Sequence, residues 1–237
     1  MEEAMRPSYL GDFPLAAEAS AVERMGFIRK TYAHLVGAIA AFVAIEAVLF
    51  QMGVAEQFTL TTRGQGLLVL CAFMLVSWMA NRWASSDASP GLQYLGLGIY
   101  VVAEAIIFLP LLYVAVRFGG KDVIPTAAFM TLIIFAGLSA AVFLTKKDFS
   151  FMLPALCVAG LGAMGLIFFG AFFGFSGGVL FTVGMIVFAS GWILYDTSQV
   201  LHHYRVGQHV AASLALFSSV ALLFWYVLRF VLSMSRR

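Results

Sequence analysis

Residues 191–204 read GWILYDTSQVLHHY, and they place a single carboxylate, Asp196, inside an apolar run that extends over residues 179–201. An ionised Asp at membrane depth costs ~3 kcal/mol on insertion scales, so such a residue faces a partner, a bundle interior or water. At 1.5 Å of rise per residue, a run of this length suits a hydrocarbon core ~30 Å thick. Working outward from it, six further runs share its length and character, at roughly 32–52, 64–81, 92–116, 123–144, 151–173 and 210–232. The expected fold is an all-α integral membrane bundle of seven helices joined by short loops.

Composition agrees with that reading. Of 237 residues, 62% are hydrophobic and 11% charged, and mean hydropathy is +0.96, which is more apolar surface than one soluble core of this size can bury. The net charge of +2 comes without a long basic cluster, so nucleic acid is not an expected partner. Cys71 and Cys157 each lie within an apolar run and read as small core hydrophobes, not as a disulfide framework. The first 22 residues lack the basic start and apolar core of a cleaved signal peptide. They mix Pro, Gly, Ser and acids without a period and read as a flexible or peripheral tail, with residues 23–237 forming the membrane domain.

Orientation follows from Lys and Arg near the span ends. With the N-terminus cytoplasmic, Arg6, Arg24, Arg29, Lys30, Arg82, Lys146, Lys147 and Arg205 lie inside, eight of the fourteen basic residues. The C-terminus is then outside, and His34, His202, His203 and His209 all fall near the cytoplasmic face, as helix-end anchors or as pH sensors. Ala155 with Ala159, and Gly170 with Gly174, are small residues four apart that would let helices approach closely. Asp148 or Ser150 precedes Pro154 and is placed to cap the helix it opens.

Three acids lie inside apolar spans. Glu46 is in the outer part of the first span, from which it could reach the interface. Glu104 is near the middle of its span, six residues before Pro110, and a proline there removes the helical donor for the Ile106 carbonyl and tends to kink the helix. A carboxylate beside a freed carbonyl would suit a hard cation such as calcium. Asp196, Gln199 and His203, spaced i, i+3, i+7, are expected to share one helix face and form an ion and proton site. Burial and a nearby cation act oppositely on such an Asp, so protons and cations should compete there. Arg229 is near the end of the last span and is expected to snorkel to the outer face.

FIRKTYAHL at 27–35, YLGLGIYVVAEAIIFLPLLY at 94–113, TKKDFSF at 145–151 and GWILYDTSQVLHHY at 191–204 occur in an order that resembles the Bax inhibitor-1 (transmembrane Bax inhibitor motif) family, its bacterial branch included. The resemblance covers nearly the whole chain from about Glu23. It implies a seven-helix bundle with the last helix central and a pH-sensitive calcium leak. For some bacterial relatives it also implies binding and modulation of a membrane-anchored ATP-dependent protease. Asp196 would match the first of two carboxylates that share a proton and close the path on the cytoplasmic side. This chain departs from the pattern at the second, where Ser219 stands. A hydroxyl can hydrogen-bond a carboxyl group but cannot carry the second charge.

The expected function is therefore a passive, gated cation pathway, not an enzyme. Asp196 and Glu104 would be the oxygen sites for calcium as transported ion, with no cofactor and with the bacterial plasma membrane as setting. The alternative is a non-conducting regulator that binds a membrane protease or other membrane proteins. An intramembrane aspartyl protease fits poorly, because that chemistry needs two carboxylates sharing a proton and no GxGD motif or acid occurs in the last span. A retinal-type receptor is excluded by the absence of a lysine from the same span.

Overall fold

A computed structural model describes residues 13–86, 89–174 and 177–235. In chain order the helices are α1 (Ala21–Gln51), α2 (Val54–Thr61), α3 (Gly66–Ala84), α4 (Pro90–Phe118), α5 (Val123–Thr145), α6 (Leu153–Phe173), α7 (Gly178–His202) and α8 (His209–Ser235). Seven of these are long and apolar enough to cross a membrane, and α6 is extended at its start by a 3₁₀ turn, Ser150–Met152. The exception is α2, an eight-residue helix entered through Gly53 in the left-handed region, φ 72°.

Helix ends follow their local chemistry. Ser20 and Glu23 close a reciprocal capping box at the start of α1, and Ser89 accepts from the Leu92 amide with Pro90 following it. The expected cap of α6 is not made. Its N-cap residue is Met152, without a side-chain hydrogen bond, because Asp148 is occupied by Ser150 one turn earlier. Helix α4 runs unbroken through Pro110.

Burial decides the layout. In α8, 67% of the membrane window is buried, against 44% in α4 and 6% in α6, so α8 is the central post and α6 the most lipid-facing span. Helix α8 packs against α1, α3, α4, α5 and α7. Small side chains allow this on every side: Ala211, Ala212, Ser213, Ser219 and Ala221 are all buried. Aromatic rings lock the next level, with Phe108 stacked on Phe224 at 5.6 Å and edge-on to Phe42 at 5.1 Å. By contrast Ala155 and Ala159, read as packing residues, face outward on α6.

Helices α3 and α4 are in closest contact at Gly96. A Cβ added there would lie 2.5 Å from the Ala84 amide nitrogen and 2.6 Å from the Ala80 carbonyl oxygen. Backbone cannot step aside as a flexible side chain can, so Gly96→Ala should destabilise the bundle by about 1–3 kcal/mol or more. Gly98, two residues on, meets nothing within 4 Å and should tolerate the same change. Unfolding of both variants in detergent measures the contrast.

Of the stretch read as a loose tail, residues 1–12 lie outside the described residues. Its remaining part is held in place. Ala16 is fully buried and its amide donates to the Tyr204 carbonyl at 2.8 Å, while Val206 donates to Pro14 and the Arg205 guanidinium to the Phe13 carbonyl. The N-terminal segment thus packs onto the α7–α8 loop.

Candidate functional site

Asp196 on α7 and Ser219 on α8 meet in the interior, 7% and 4% exposed. The Ser219 hydroxyl donates to Asp196 Oδ2. Position 219, which the resemblance matches to a second acid, therefore does face Asp196, and it does so with a hydroxyl. No cationic side chain ion-pairs with Asp196 among the described residues.

Tyr100 on α4 joins this pair to Glu104. It is 6% exposed, and its hydroxyl feels the charges of both Glu104 and Asp196, while the Ser218 hydroxyl is turned to the Ala215 carbonyl and that of Ser77 is buried without a partner. Glu104 is buried one helical turn further along α4, with Oε2 unpartnered. Ile106, whose carbonyl loses its donor to Pro110, is 41% exposed while Glu104 is buried, so the two side chains lie on different sides of α4.

Glu46 is buried rather than interfacial. It is 6% exposed and neither carboxyl oxygen has a partner. The contact of His34, Tyr94 and His209 supplies a common level for α1, α4 and α8. Glu46, Glu104 and Ser219 lie twelve, ten and ten residues beyond it, about 15–18 Å along their helices. Three carboxyl groups therefore share the middle of the bundle. The sequence hid this because Glu46 is late in a helix that starts well outside the apolar layer, at Ala21.

The expected single face of Asp196, Gln199 and His203 divides in two. Asp196 turns to α8, whereas Gln199 donates to Ser150 at 3.1 Å and exposed His203 pairs with Asp148 at 3.5 Å. Three residues turn a helix by about 300°, enough to move Gln199 off the Asp196 direction and onto the loop between α5 and α6. That loop, entered through Lys146 at φ 51°, is held by Asp148, which accepts from the Ser150 amide and hydroxyl at 2.9 and 2.5 Å and from Ser198 at 3.3 Å. Hydrogen bonds from Ser150 hold the Asp148 carboxyl below the usual carboxylate range against slight desolvation, with His203 and His202 adding to the effect.

A depressed carboxyl stabilises the fold fully above the ordinary Asp value near ~4 and loses its contribution as pH falls through the lowered folded value. The loop should therefore keep its order down to about pH 4. Because Asp148 is half exposed, Asp148→Ala should speed amide hydrogen exchange at Ser150 by only a few-fold. Mass spectrometry of exchange over residues 146–152 checks this.

Two further groups border the site. Tyr204 lies just past α7 near Asp196 and Tyr195, and burial pushes its hydroxyl well above the usual tyrosine range. Its backbone carbonyl takes the hydrogen bond from Ala16, so loop and N-terminal segment together cover this end of the site. Tyr32 on α1 stands between Phe135 and Phe143 of α5 and approaches Ser139 and Thr197, all three hydroxyls buried without a well-formed hydrogen bond. Among the described residues, no three His, Cys, Asp or Glu side chains converge as a resident metal site would require.

A family model described as "Inhibitor of apoptosis-promoting Bax1" matches residues 24–237. An uncharacterized protein of Pseudomonas aeruginosa is 27% identical over 212 residues, covering 88% of this chain and 90% of that one. Protein LIFEGUARD 4 of Arabidopsis thaliana is 27% identical, covering 85% and 82%. Bax inhibitor 1 of Schizosaccharomyces pombe is 28% identical, covering 90% and 78%. With a match spanning all seven membrane helices and relatives aligned nearly end to end, the chain belongs to the Bax inhibitor-1 family of multi-pass membrane proteins.

Proposed function

We propose that this protein is a gated, passive pathway for cations, with calcium as the transported ion and Asp196 as the site where protons and calcium compete. The observation that carries the reading is Asp196 itself: a carboxyl group buried at membrane depth, bound by a neutral hydroxyl and ion-paired with no cation among the described residues. Such a group needs a proton or a mobile cation to be tolerated.

Calcium takes six to eight oxygens when tightly held. Asp196 with the Ser219 hydroxyl, and Glu104 at a similar depth on α4, offer far fewer oxygens, which suits passage rather than storage. Gln199 and His203 act at the cytoplasmic end by holding the α5–α6 loop, and Tyr204 with the N-terminal segment covers the exit. The bias of Lys and Arg supports a cytoplasmic N-terminus and an external C-terminus, and the resemblance supports a bacterial plasma membrane. No catalytic role is assigned to any residue.

A second reading, a non-conducting regulator of a membrane protease or other membrane protein, draws on α6. Its small residues Ala155 and Ala159 are exposed, as residues kept for a partner helix would be. Reconstitution separates the two readings. Calcium entry into protein-bearing liposomes above that of empty liposomes supports the pathway. Absent flux together with a stoichiometric membrane partner on copurification supports the regulator.

A further inference from the structure

At one end of the bundle three helices meet through polar side chains. His34 Nδ1 donates to the Lys30 carbonyl at 2.7 Å, which leaves Nε2 of the neutral ring to accept from the Tyr94 hydroxyl at 3.1 Å. His209 Nε2 lies 3.3 Å from the same hydroxyl, and the two imidazole rings are 5.0 Å apart. Lys30 is one helical turn before His34 on the same face of α1, and its ammonium acts on His209. Among the described residues no carboxylate pairs with this cluster.

Two apolar grooves open sideways from that corner, one on each side of the exposed ridge of α4. The first, of about 490 Å³, runs between α1 and α4 from His34 to Ile45. The second, of about 480 Å³, runs along α4 from Tyr94 to Ile106, with Val76 of α3 as its other border. Both are bordered by Tyr94, Gly98 and Val102. At 1.5 Å per residue each is about 16–18 Å long, close to half of a ~30 Å hydrocarbon core.

We infer that this corner binds one anionic two-chain phospholipid, its phosphate at the Lys30 ammonium beside the His34–Tyr94–His209 contact and its acyl chains in the two grooves. Charge selects the headgroup, because the Lys30 ammonium, with no carboxylate paired to the cluster among the described residues, favours an anion over a zwitterion. Length selects the chains, since the grooves begin at the polar cluster and end near mid-membrane, as one leaflet does. Gly98 keeps the ridge low between them, and a side chain there would meet only open space.

Native mass spectrometry of the purified full chain, titrated with phosphatidylglycerol or phosphatidylcholine of matched chains, tests the site without reference to ion flux. One phosphatidylglycerol per chain should be retained, about fivefold more tightly than phosphatidylcholine. Gly98→Leu should abolish retention of both lipids at this site, whereas Gly162→Leu, in an equally open position on α6, should leave it unchanged. Lys30→Gln with His34→Gln should remove the preference and keep the weaker binding. Inorganic phosphate alone should not compete at equal concentration. Equal retention of both lipids by the wild type, undiminished retention in Gly98→Leu, or a Gly98→Leu effect on oligomeric state instead of lipid would each overturn the assignment.

Discussion

Replacing Ser219 with Asp should turn a shallow pH dependence of calcium flux into a steep one, with a change of about tenfold or more across a single step between pH 5 and 8. Ser219 is 4% exposed and already in hydrogen-bond contact with Asp196, so the new carboxyl group would face the old one once the two side chains shift to admit its extra atoms. Two carboxyl groups in such contact hold one proton between them, because ionising both places like charges side by side in a dry site. The pair then has two distinct states that protons choose between, whereas the wild-type pair has one titrating member and a hydroxyl that serves either state. Ser219→Asn controls for volume: it fills the same space without charge and should leave the profile shallow. Ser219→Ala should cost only ~0.6 kcal/mol in stability, the usual worth of a hydrogen bond between membrane helices. Flux of liposomes loaded with a calcium-sensitive dye, recorded at several pH values, reads Ser219→Asp and Ser219→Asn, and unfolding in detergent reads Ser219→Ala. A shallow profile in Ser219→Asp would mean that position 219 does not act on the pathway.

The membrane spans were legible because hydropathy in a bilayer acts over twenty residues at a time, and the ends of every span were found within a few residues except the start of the first, where α1 reaches back to Ala21. Asp196 was legible for the same reason, a charge being conspicuous where nothing else is polar. What composition could not reveal was depth. Glu46 reads as interfacial when counted from the edge of its apolar run, yet α1 begins eleven residues earlier and carries that acid inward to the level of Glu104. Nor could helix periodicity reveal which neighbour claims a side chain. Gln199 and His203 have the spacing of partners to Asp196, but a tight Asp148–Ser150 turn offers them nearer groups. Tyr100 carried no signal, since a tyrosine in an aromatic-rich span looks like packing until the fold buries its hydroxyl within reach of the charges of Glu104 and Asp196. The contact of residues 13–16 with the α7–α8 loop joins segments far apart in the chain, and no local pattern encodes it.

Asp196→Asn addresses the core of the account. The amide keeps the size of the carboxyl group, and its oxygen still accepts from the Ser219 hydroxyl, so the α7–α8 contact should survive and the variant should unfold in detergent much as the wild type does. What it loses is the ability to take a proton or to attract a divalent cation. One pKa unit of interaction corresponds to tenfold in rate or occupancy, and a buried carboxylate interacts with a cation by at least that much. Calcium entry into liposomes, measured from pH 5 to 8 on wild type and Asp196→Asn reconstituted at equal density, should fall about tenfold or more in the variant and lose its dependence on pH. Equal flux with an equal pH profile in a correctly folded Asp196→Asn protein would contradict the account.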